Sequence, residues 1–186
     1  EQLYVSLGVR GFDMYDDRRY PAALMGQILG GGMSSRLFDE VRQKRGLAYY
    51  VGAGNANYTD SGYFEVSAGL NQQKAREGIQ VILAELKKVA SDGVTTEELT
   101  RVKDQAEGRL AFTLESTSGV ADEFGSSVLF YDKIITPEED IARIKAVTQQ
   151  DIRDVAQAIF TDDRLNMTAI GPAVKDEQFA DVLTFS

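Results

Sequence analysis

The residues of this chain best suited to chemistry lie in one run from Gly30 to Tyr50, with the sequence GGGMSSRLFDEVRQKRGLAYY. Arg42 and Tyr49 stand seven positions apart in it, on either side of Gly46. If a glycine turn leads from a helix into a strand, their guanidinium and phenol lie side by side and donate to one oxygen. Such a pair fixes a peptide carbonyl or stabilises a developing oxyanion. Residue types and spacing alone favour the plainer reading of a solvated arginine and a strand aromatic.

The other common catalytic groups are missing. The 186 residues include no histidine and no cysteine, so zinc ligation and nucleophilic catalysis lack their usual partners. The short acidic groups do not follow the alternating spacing of a calcium loop, and most stand where helix N-termini favour negative charge. We therefore predict no metal site and no self-contained catalytic centre in this chain.

A glycine run, Gly30, Gly31 and Gly32, opens the segment. Exposed backbone amides can bind a phosphate, but the lysine that a phosphate loop requires is absent from the local sequence GGGMSS. A flexible break between two helices, which lets an extended ligand approach the backbone, is the better interpretation. The three glycines are therefore candidate substrate-binding residues.

Composition excludes several classes of protein. With 43% hydrophobic residues the chain can bury a core, whereas a net charge of −9 without a basic stripe argues against nucleic acid and anionic membranes as partners. No apolar run approaches the roughly 20 residues that cross a bilayer. Lack of cysteine rules out a disulfide framework and leaves bacterial cytoplasm and periplasm both open. Because the chain begins without methionine in an alternating stretch, we expect a piece of a longer protein.

The predicted elements start with a strand and two helices. Alternating apolar residues predict a strand over 1–10, and a helix follows from near Pro21 to Leu29. The glycine run ends it. Ser34 or Ser35 is expected to cap a second helix, which Gly46 ends.

The rest of the chain combines two paired strands with further helices. Strands are predicted over 47–58 and 62–70, followed by a helix over 73–90 and a closing strand over 164–170. Gly119 is expected to divide the helical stretch 96–131. A threonine followed three residues later by an acid marks further helix starts at Thr95, Thr136 and Thr148. This order predicts an α+β fold, a largely antiparallel sheet with helices packed on one face.

The stretch LGGGMSSRLFDEVRQKRGLAYYVGAG, residues 29–54, resembles the pitrilysin/insulinase family of zinc metallopeptidases, which includes mitochondrial processing peptidases and core proteins of the respiratory bc1 complex. Similarity continues through DGVTTEELTRVKDQ and AVTQQDIRDVAQAIF to Gly171-Pro172. In that family two α+β halves close like a clamshell around a chamber. One half holds zinc through H-x-x-E-H, and the other is metal-free. Without histidine, this chain resembles the metal-free C-terminal half, as a single domain over 1–186.

The resemblance implies a role in positioning substrate. Arg42 and Tyr49 match the pair that reaches the substrate carbonyl near the partner's zinc, with Tyr50 as a one-residue alternative for the phenol. Gly30 to Gly32 match a glycine-rich loop that is longer in processing-peptidase alpha subunits, so presequence recognition is not expected here. The family's reaction is peptide hydrolysis by a zinc-bound water with the partner's glutamate as base. The chain alone is therefore expected to be inactive.

The partners implied are a zinc-binding N-terminal domain of the same protein or a homologous subunit, and a peptide that adds a strand to a free sheet edge. The isolated piece is also expected to pair with a second copy of itself. A structural or assembly protein of the same fold, like the bc1 core proteins, is the alternative to a peptidase.

Overall fold

The described residues of the computed structural model, 2–172, 175 and 178–185, contain a four-stranded antiparallel sheet in the order β2-β3-β1-β4. The strands are β1 Gln2–Arg10, β2 Ala48–Asn57, β3 Gly62–Asn71 and β4 Asn166–Ile170. The helices are α1 Arg19–Gly30, α2 Ala75–Asp92, α3 Thr96–Leu114, α4 Thr117–Tyr131, α5 Pro137–Ala146 and α6 Gln149–Ile159. The predicted α+β class with an antiparallel sheet is confirmed.

One face of the sheet is buried and the other is open. Leu3, Val5 and Leu7 of β1 are buried, whereas Tyr4 between them is half exposed. Neighbouring residues of a strand point to opposite faces, so the apolar alternation of β1 places one row against the helices. The opposite face carries polar, glycine and tyrosine positions. This arrangement agrees with the prediction of helices on one face only.

The core forms where helices α1, α2 and α6 cover the buried face. The apolar positions that recur at helical spacing in α2 are fully or almost fully buried, as are those of α6. The largest fully buried side chains of these three helices are Met25, Ile28, Leu29, Ile79, Ile82, Ile152 and Ile159.

Three helix starts form as the threonine and acid pairs predict. The hydroxyls of Thr95, Thr136 and Thr148 each accept the backbone N–H three residues later, and that residue's carboxylate accepts the threonine's own N–H. Each reciprocal pair satisfies two amides that the first helical turn would otherwise leave free.

Two predicted boundaries are wrong, each because a serine hydroxyl acts differently. Ser116, not Gly119, separates α3 from α4, since its Oγ accepts the Gly119 N–H at 3.0 Å and caps the second helix. Ser35 does not cap the second predicted helix, because its hydroxyl donates to the Gly32 carbonyl at 2.6 Å. Ser34 instead accepts a hydrogen bond from Arg101 at 2.6 Å.

Helix α4 and the second half of α3 stand apart from the core, whereas Leu99 and Val102 in the first half of α3 are buried in it. In α4 only Ser127 is buried, while Phe112 of α3 and Leu129 of α4 are about three quarters exposed, at 74% and 76%. Among the described residues no helix combines the length and the apolar character that crossing a bilayer requires.

Helix α1 touches strand β2 through backbone. A Cβ on Gly30 would lie 1.9 Å from the amide nitrogen of Ala53, and a Cβ on Gly26 would lie 3.1 Å from the Cα of Gly54. Gly26 and Gly30 are one turn apart on the same side of α1. Two missing side chains thus allow the helix to approach the strand closely.

We expect Gly30→Ala to lower the free energy of unfolding by about 3 kcal/mol, because the added methyl would push α1 away from β2. Urea unfolding followed by circular dichroism measures this. Gly52→Ala is the matched control on the facing strand, since its Cβ would meet only the Gly30 carbonyl oxygen at 3.8 Å. Equal stabilities of the two variants would contradict the backbone contact.

Candidate functional site

The segment that carries Arg42 folds as a π-helix, Phe38–Gln43, where a regular α-helix was expected. The Lys44 N–H donates to the Asp39 carbonyl, five residues back, at 2.9 Å. Gly46 follows with φ +58°, a left-handed conformation that suits glycine, and ends the helix as predicted. π-helical turns are rare and frequently occur at functional sites.

Arg36 anchors this π-helix to the start of α3. Its Nε and Nη2 each donate to one carboxylate oxygen of Glu98 at 2.6 Å, and Nη2 also donates to the Gly93 carbonyl at 3.2 Å. Both side chains are about one fifth exposed. Burial raises the pKa of Glu98, but hydrogen bonds from Arg36 and the Thr95 amide outweigh it and hold that pKa below its ordinary value.

Arg42 has no acidic partner among the described residues, unlike the basic residues that follow it. Lys44 donates to Glu40 at 2.6 Å, and Arg45 pairs with the same carboxylate. In residues 2–172, 175 and 178–185 the Arg42 side chain forms no hydrogen bond or ion pair, and its Cζ lies 5.0 Å from the centre of the Phe38 ring. Its N–H donors therefore remain available to a bound group.

Tyr49 is the extra residue of a β-bulge in β2. Ala48 pairs with Leu70 and Tyr50 pairs with Gly69, so Tyr49 has no opposite residue on β3. The bulge turns Ala48 into the core and leaves Tyr49 and Tyr50 both outside, 53% and 41% exposed. This bulge was not predicted, although two apolar residues followed by two tyrosines already break the alternation of a regular strand.

The two tyrosines have different surroundings. The Tyr50 ring lies 6.3 Å from the Tyr4 ring and covers Gly69, where an added Cβ would come within 2.6 Å of the Tyr50 Cε1. No ring contact or hydrogen bond of the Tyr49 side chain is formed in the part of the chain that the structure describes. Tyr50 is thus engaged in packing on the sheet, and Tyr49 presents an unengaged phenol.

Arg42 and Tyr49 flank one junction, where the π-helix runs into β2. The Leu47 N–H donates to the Val41 carbonyl at 2.8 Å, and the Leu47 carbonyl accepts the Asn71 N–H at 2.9 Å. These two bonds fix the connection between helix and sheet. No hydrogen bond joins the two side chains across the described contacts, so both can turn toward a third group.

The glycine run divides between two roles. Gly30 lines a shallow hollow of about 350 Å3 together with β2 and β3, whereas Gly31 and Gly32 do not. The Gly31 amide closes α1 by donating to Gln27 at 3.0 Å. The Gly32 carbonyl accepts both the amide and the hydroxyl of Ser35, at 3.1 and 2.6 Å, and so shapes the turn into the π-helix.

Residues 1–106 match the sequence profile of a family described as the peptidase M16 inactive domain. The chain belongs to the peptidase M16 family. The resemblance to zinc metallopeptidases, and to their metal-free half, is therefore confirmed.

Known relatives of this M16 domain are longer. It is 38% identical over 178 residues to an uncharacterized zinc protease of Streptomyces coelicolor, covering 96% of the chain and 38% of that protein. It is 38% identical over 166 residues to the uncharacterized zinc protease YmxG of Bacillus subtilis, covering 88% of the chain and 40% of the relative. The chain thus spans about two fifths of the length of the relatives it matches.

A solved structure shares the fold of the M16 domain. The peptidase M16 inactive domain of Pseudomonas fluorescens superposes with a TM-score of 0.84 at 22% identity, over 95% of this chain and 42% of that one. At this identity the likeness establishes the fold and not the activity.

The M16 domain does not fit a zinc ion with its own residues. Zinc in proteins is held by histidine, cysteine and carboxylate ligands, and the sequence has neither histidine nor cysteine. Within the described ranges, no three or more carboxylates are grouped closely enough to hold a metal ion.

A larger hollow of about 590 Å3 lies away from the candidate residues, between α1, α5 and α6. The Tyr20 hydroxyl at its wall donates to Asp140 at 2.6 Å and accepts from Arg19 and Arg143 at 2.7 and 3.3 Å. Burial first, and then the bond to Asp140, raise the pKa of Tyr20 to about 12. This satisfied network ties α1 to α5.

The Arg36–Glu98 pair predicts a pH dependence of stability. Because the folded pKa of Glu98 lies below its unfolded value, the pair stabilises the fold fully above about pH 4.3, and this contribution is lost as the pH falls through the folded pKa. We expect Glu98→Gln to cost about 2 kcal/mol at neutral pH and less in acid. Urea unfolding at stepped pH measures the difference.

The control for that series is Glu97→Gln, because Glu97 is exposed in the same helical turn. Its free energy of unfolding should follow the wild type at each pH. A Glu98→Gln profile that ran parallel to the wild type through the acid range would contradict the pair's contribution.

Proposed function

We propose that this M16 domain positions a peptide for cleavage by a companion zinc-binding domain, with Arg42 and Tyr49 donating to the carbonyl of the bond to be cut. The observation that carries the proposal is the unpaired guanidinium of Arg42, in a segment whose other basic side chains are all paired. It is supported by the unengaged phenol of Tyr49, at the other end of the same junction.

The local charges favour a donor role for Arg42. The acids of the π-helix are Asp39 and Glu40; Asp39 pairs with Lys44, and Glu40 pairs with both Lys44 and Arg45. The positive charge of Arg42 is thus not neutralised by its own segment, while Phe38 supports the guanidinium from one side. Donors held in place before the reaction stabilise an oxygen most when it gains negative charge, which is the requirement of peptide hydrolysis.

The metal and the general base belong, in this proposal, to the companion domain. The residues of this chain do not fit zinc, while relatives that are more than twice as long are named zinc proteases. Such a companion is either the rest of the same polypeptide or a separate subunit. The two domains would enclose the peptide between them like a clamshell, and this chain alone would be inactive.

The peptide would approach along the open face of the sheet beside Gly30. There the hollow of about 350 Å3 is bordered by the backbone of β2, where Gly52 and Gly54 carry no side chain. A bare strand lets an extended peptide lie close to it, with little demand on the peptide's sequence. An assembly protein without proteolysis is the alternative, and in it neither Arg42 nor Tyr49 would affect any peptide.

In the protein that includes the companion domain, Arg42→Ala should lower kcat/KM for an unfolded peptide by roughly 10²-fold, mainly through kcat, because the donor acts on the developing charge. Arg45→Ala is the matched control, since Arg45 lies three residues on and pairs with Glu40. Fluorogenic peptide cleavage measures both. Unchanged kinetics in Arg42→Ala would remove its role.

Tyr49→Phe should lower kcat/KM by a similar factor, roughly 10²-fold, and should leave the free energy of unfolding unchanged, because the hydroxyl holds nothing within the described residues. Tyr50→Phe is the comparison, one residue along the strand. A larger loss of kcat/KM in Tyr50→Phe would transfer the donor role to Tyr50.

A further inference from the structure

At the centre of the open face of the sheet, β2 presents glycines, whereas β3 presents an acidic residue. Antiparallel pairing places each outward residue of β2 beside one of β3. From one end of the face to the other the pairs are Tyr50 with Gly69, Gly52 with Ser67, Gly54 with Glu65, and Ala56 with Tyr63. Aromatic side chains thus stand at both ends, and Glu65 is the charged residue between them.

Glu65 has glycines as its two nearest neighbours in its row across the sheet, and the next side chain in that row is Asn166 of β4, which pairs with Gly8. Glu65 pairs with Gly54 on β2 and with Gly8 on β1, so no side chain rises immediately on either side of its carboxylate. The Ser6 hydroxyl donates to its Oε1 at 2.9 Å. Arg10 lies one pair further along the face, and no ion pair of Glu65 is formed in the described part of the chain.

Two hollows meet at this carboxylate. One of about 350 Å3 extends toward Gly30 and β2, and one of about 340 Å3 extends over β1 toward Asn166. Glu65 and Tyr63 line both. The Glu65 carboxylate is therefore accessible from both hollows, and the glycines beside it leave room for a side chain of a bound peptide.

Tyr63 is the aromatic residue that lines both hollows, and a pair of aromatic rings stands at each end of the face. The Tyr58 and Tyr63 rings lie 6.2 Å apart at one end, and the Tyr4 and Tyr50 rings lie 6.3 Å apart at the other. Faces of aromatic rings attract cations, and the methylene stems of lysine and arginine pack along such rings. A divalent metal is a poor fit, because one carboxylate and one hydroxyl provide too few oxygen ligands.

We infer that the space above Glu65, where the two hollows meet, binds a lysine or arginine side chain of the peptide. Glu65 would be the ion-pair partner of that side chain, and the Tyr63 ring would pack beside it. The inference rests on the proposed function, because it supposes a peptide on this face. A neutral side chain would leave the half-buried carboxylate without a counter-charge, and an acidic one would be repelled. Glu65 would therefore act as a residue that selects substrates by charge.

The test uses the whole protein and sets of fluorogenic peptides. The peptides of one set are identical except at one position, which carries lysine, glutamine or glutamate. Each further set varies a different position of the peptide. We expect one position at which kcat/KM is about 10-fold higher for lysine than for glutamine, which corresponds to about 1.4 kcal/mol. In Glu65→Gln that ratio should fall to about one. In Glu65→Lys it should favour the glutamate peptide instead.

Glu77→Gln is the control, because Glu77 is exposed on α2, one of the helices that cover the opposite face of the sheet. It should keep the ratio of the wild type. Glu65→Gln retains an oxygen that can accept the Ser6 bond, so the variant is expected to fold.

Failure of the inference and failure of the proposed function give different results. A lysine to glutamine ratio that Glu65→Gln leaves unchanged in a cleaving enzyme overturns the charge selection and leaves the donor roles of Arg42 and Tyr49 intact. If no peptide is cleaved, the proposed function fails. In that case fluorescence anisotropy measures the Kd values of labelled lysine and glutamine peptides. Equal Kd values for the two peptides overturn the inference.

Discussion

Helix α1 can lie against β2 only because Gly26 and Gly30 present no side chain to the strand. The chain leaves α1 at this contact, turns through the next two glycines, forms the π-helix and returns as β2 itself. Both ends of the loop that carries Arg42 are thereby held by the same strand. A connection that contains a helical segment and is tied at both ends has few backbone conformations to lose, so the backbone that carries Arg42 is placed before any ligand arrives.

The charges of this loop are distributed so that one remains unpaired. Arg36 is committed to Glu98 across the fold, and Lys44 and Arg45 share Glu40 within the segment. The first of these pairs is half-buried and fixes the loop against α3, whereas the exposed pairs add little stability. Their effect is instead to occupy the local acids: Lys44 by itself pairs with both Asp39 and Glu40, so neither competes with a ligand for Arg42.

The sequence specifies the parts of the fold that depend on local chemistry. Threonine and acid pairs located three helix starts, and the apolar alternation of β1 located the buried face, because each signal is complete within a few residues. Gly119 was misjudged because a serine three residues earlier competes for the same boundary.

The details of the candidate site are set by distant neighbours and could not be read the same way. The π-helix and the bulge at Tyr49 each insert one residue into a regular element, and the need for that insertion arises from where β3 and α3 already lie. Glu65 was overlooked because an acid in an alternating strand is ordinary. Only the pairing of β3 with both neighbours shows that glycines flank it.

The bulge has a consequence for variation in length. Tyr49 faces no residue on β3. If Tyr49 were deleted, Ala48 would be followed directly by Tyr50, and these two residues already pair with the adjacent β3 residues Leu70 and Gly69. Every inward residue of β2 would stay on the core side. Homologues that lack one residue at this point can thus keep the whole sheet while losing one tyrosine hydroxyl. A sequence alignment alone does not show which of the two tyrosines is missing. The pairing register of β2 with β3 is needed to assign it.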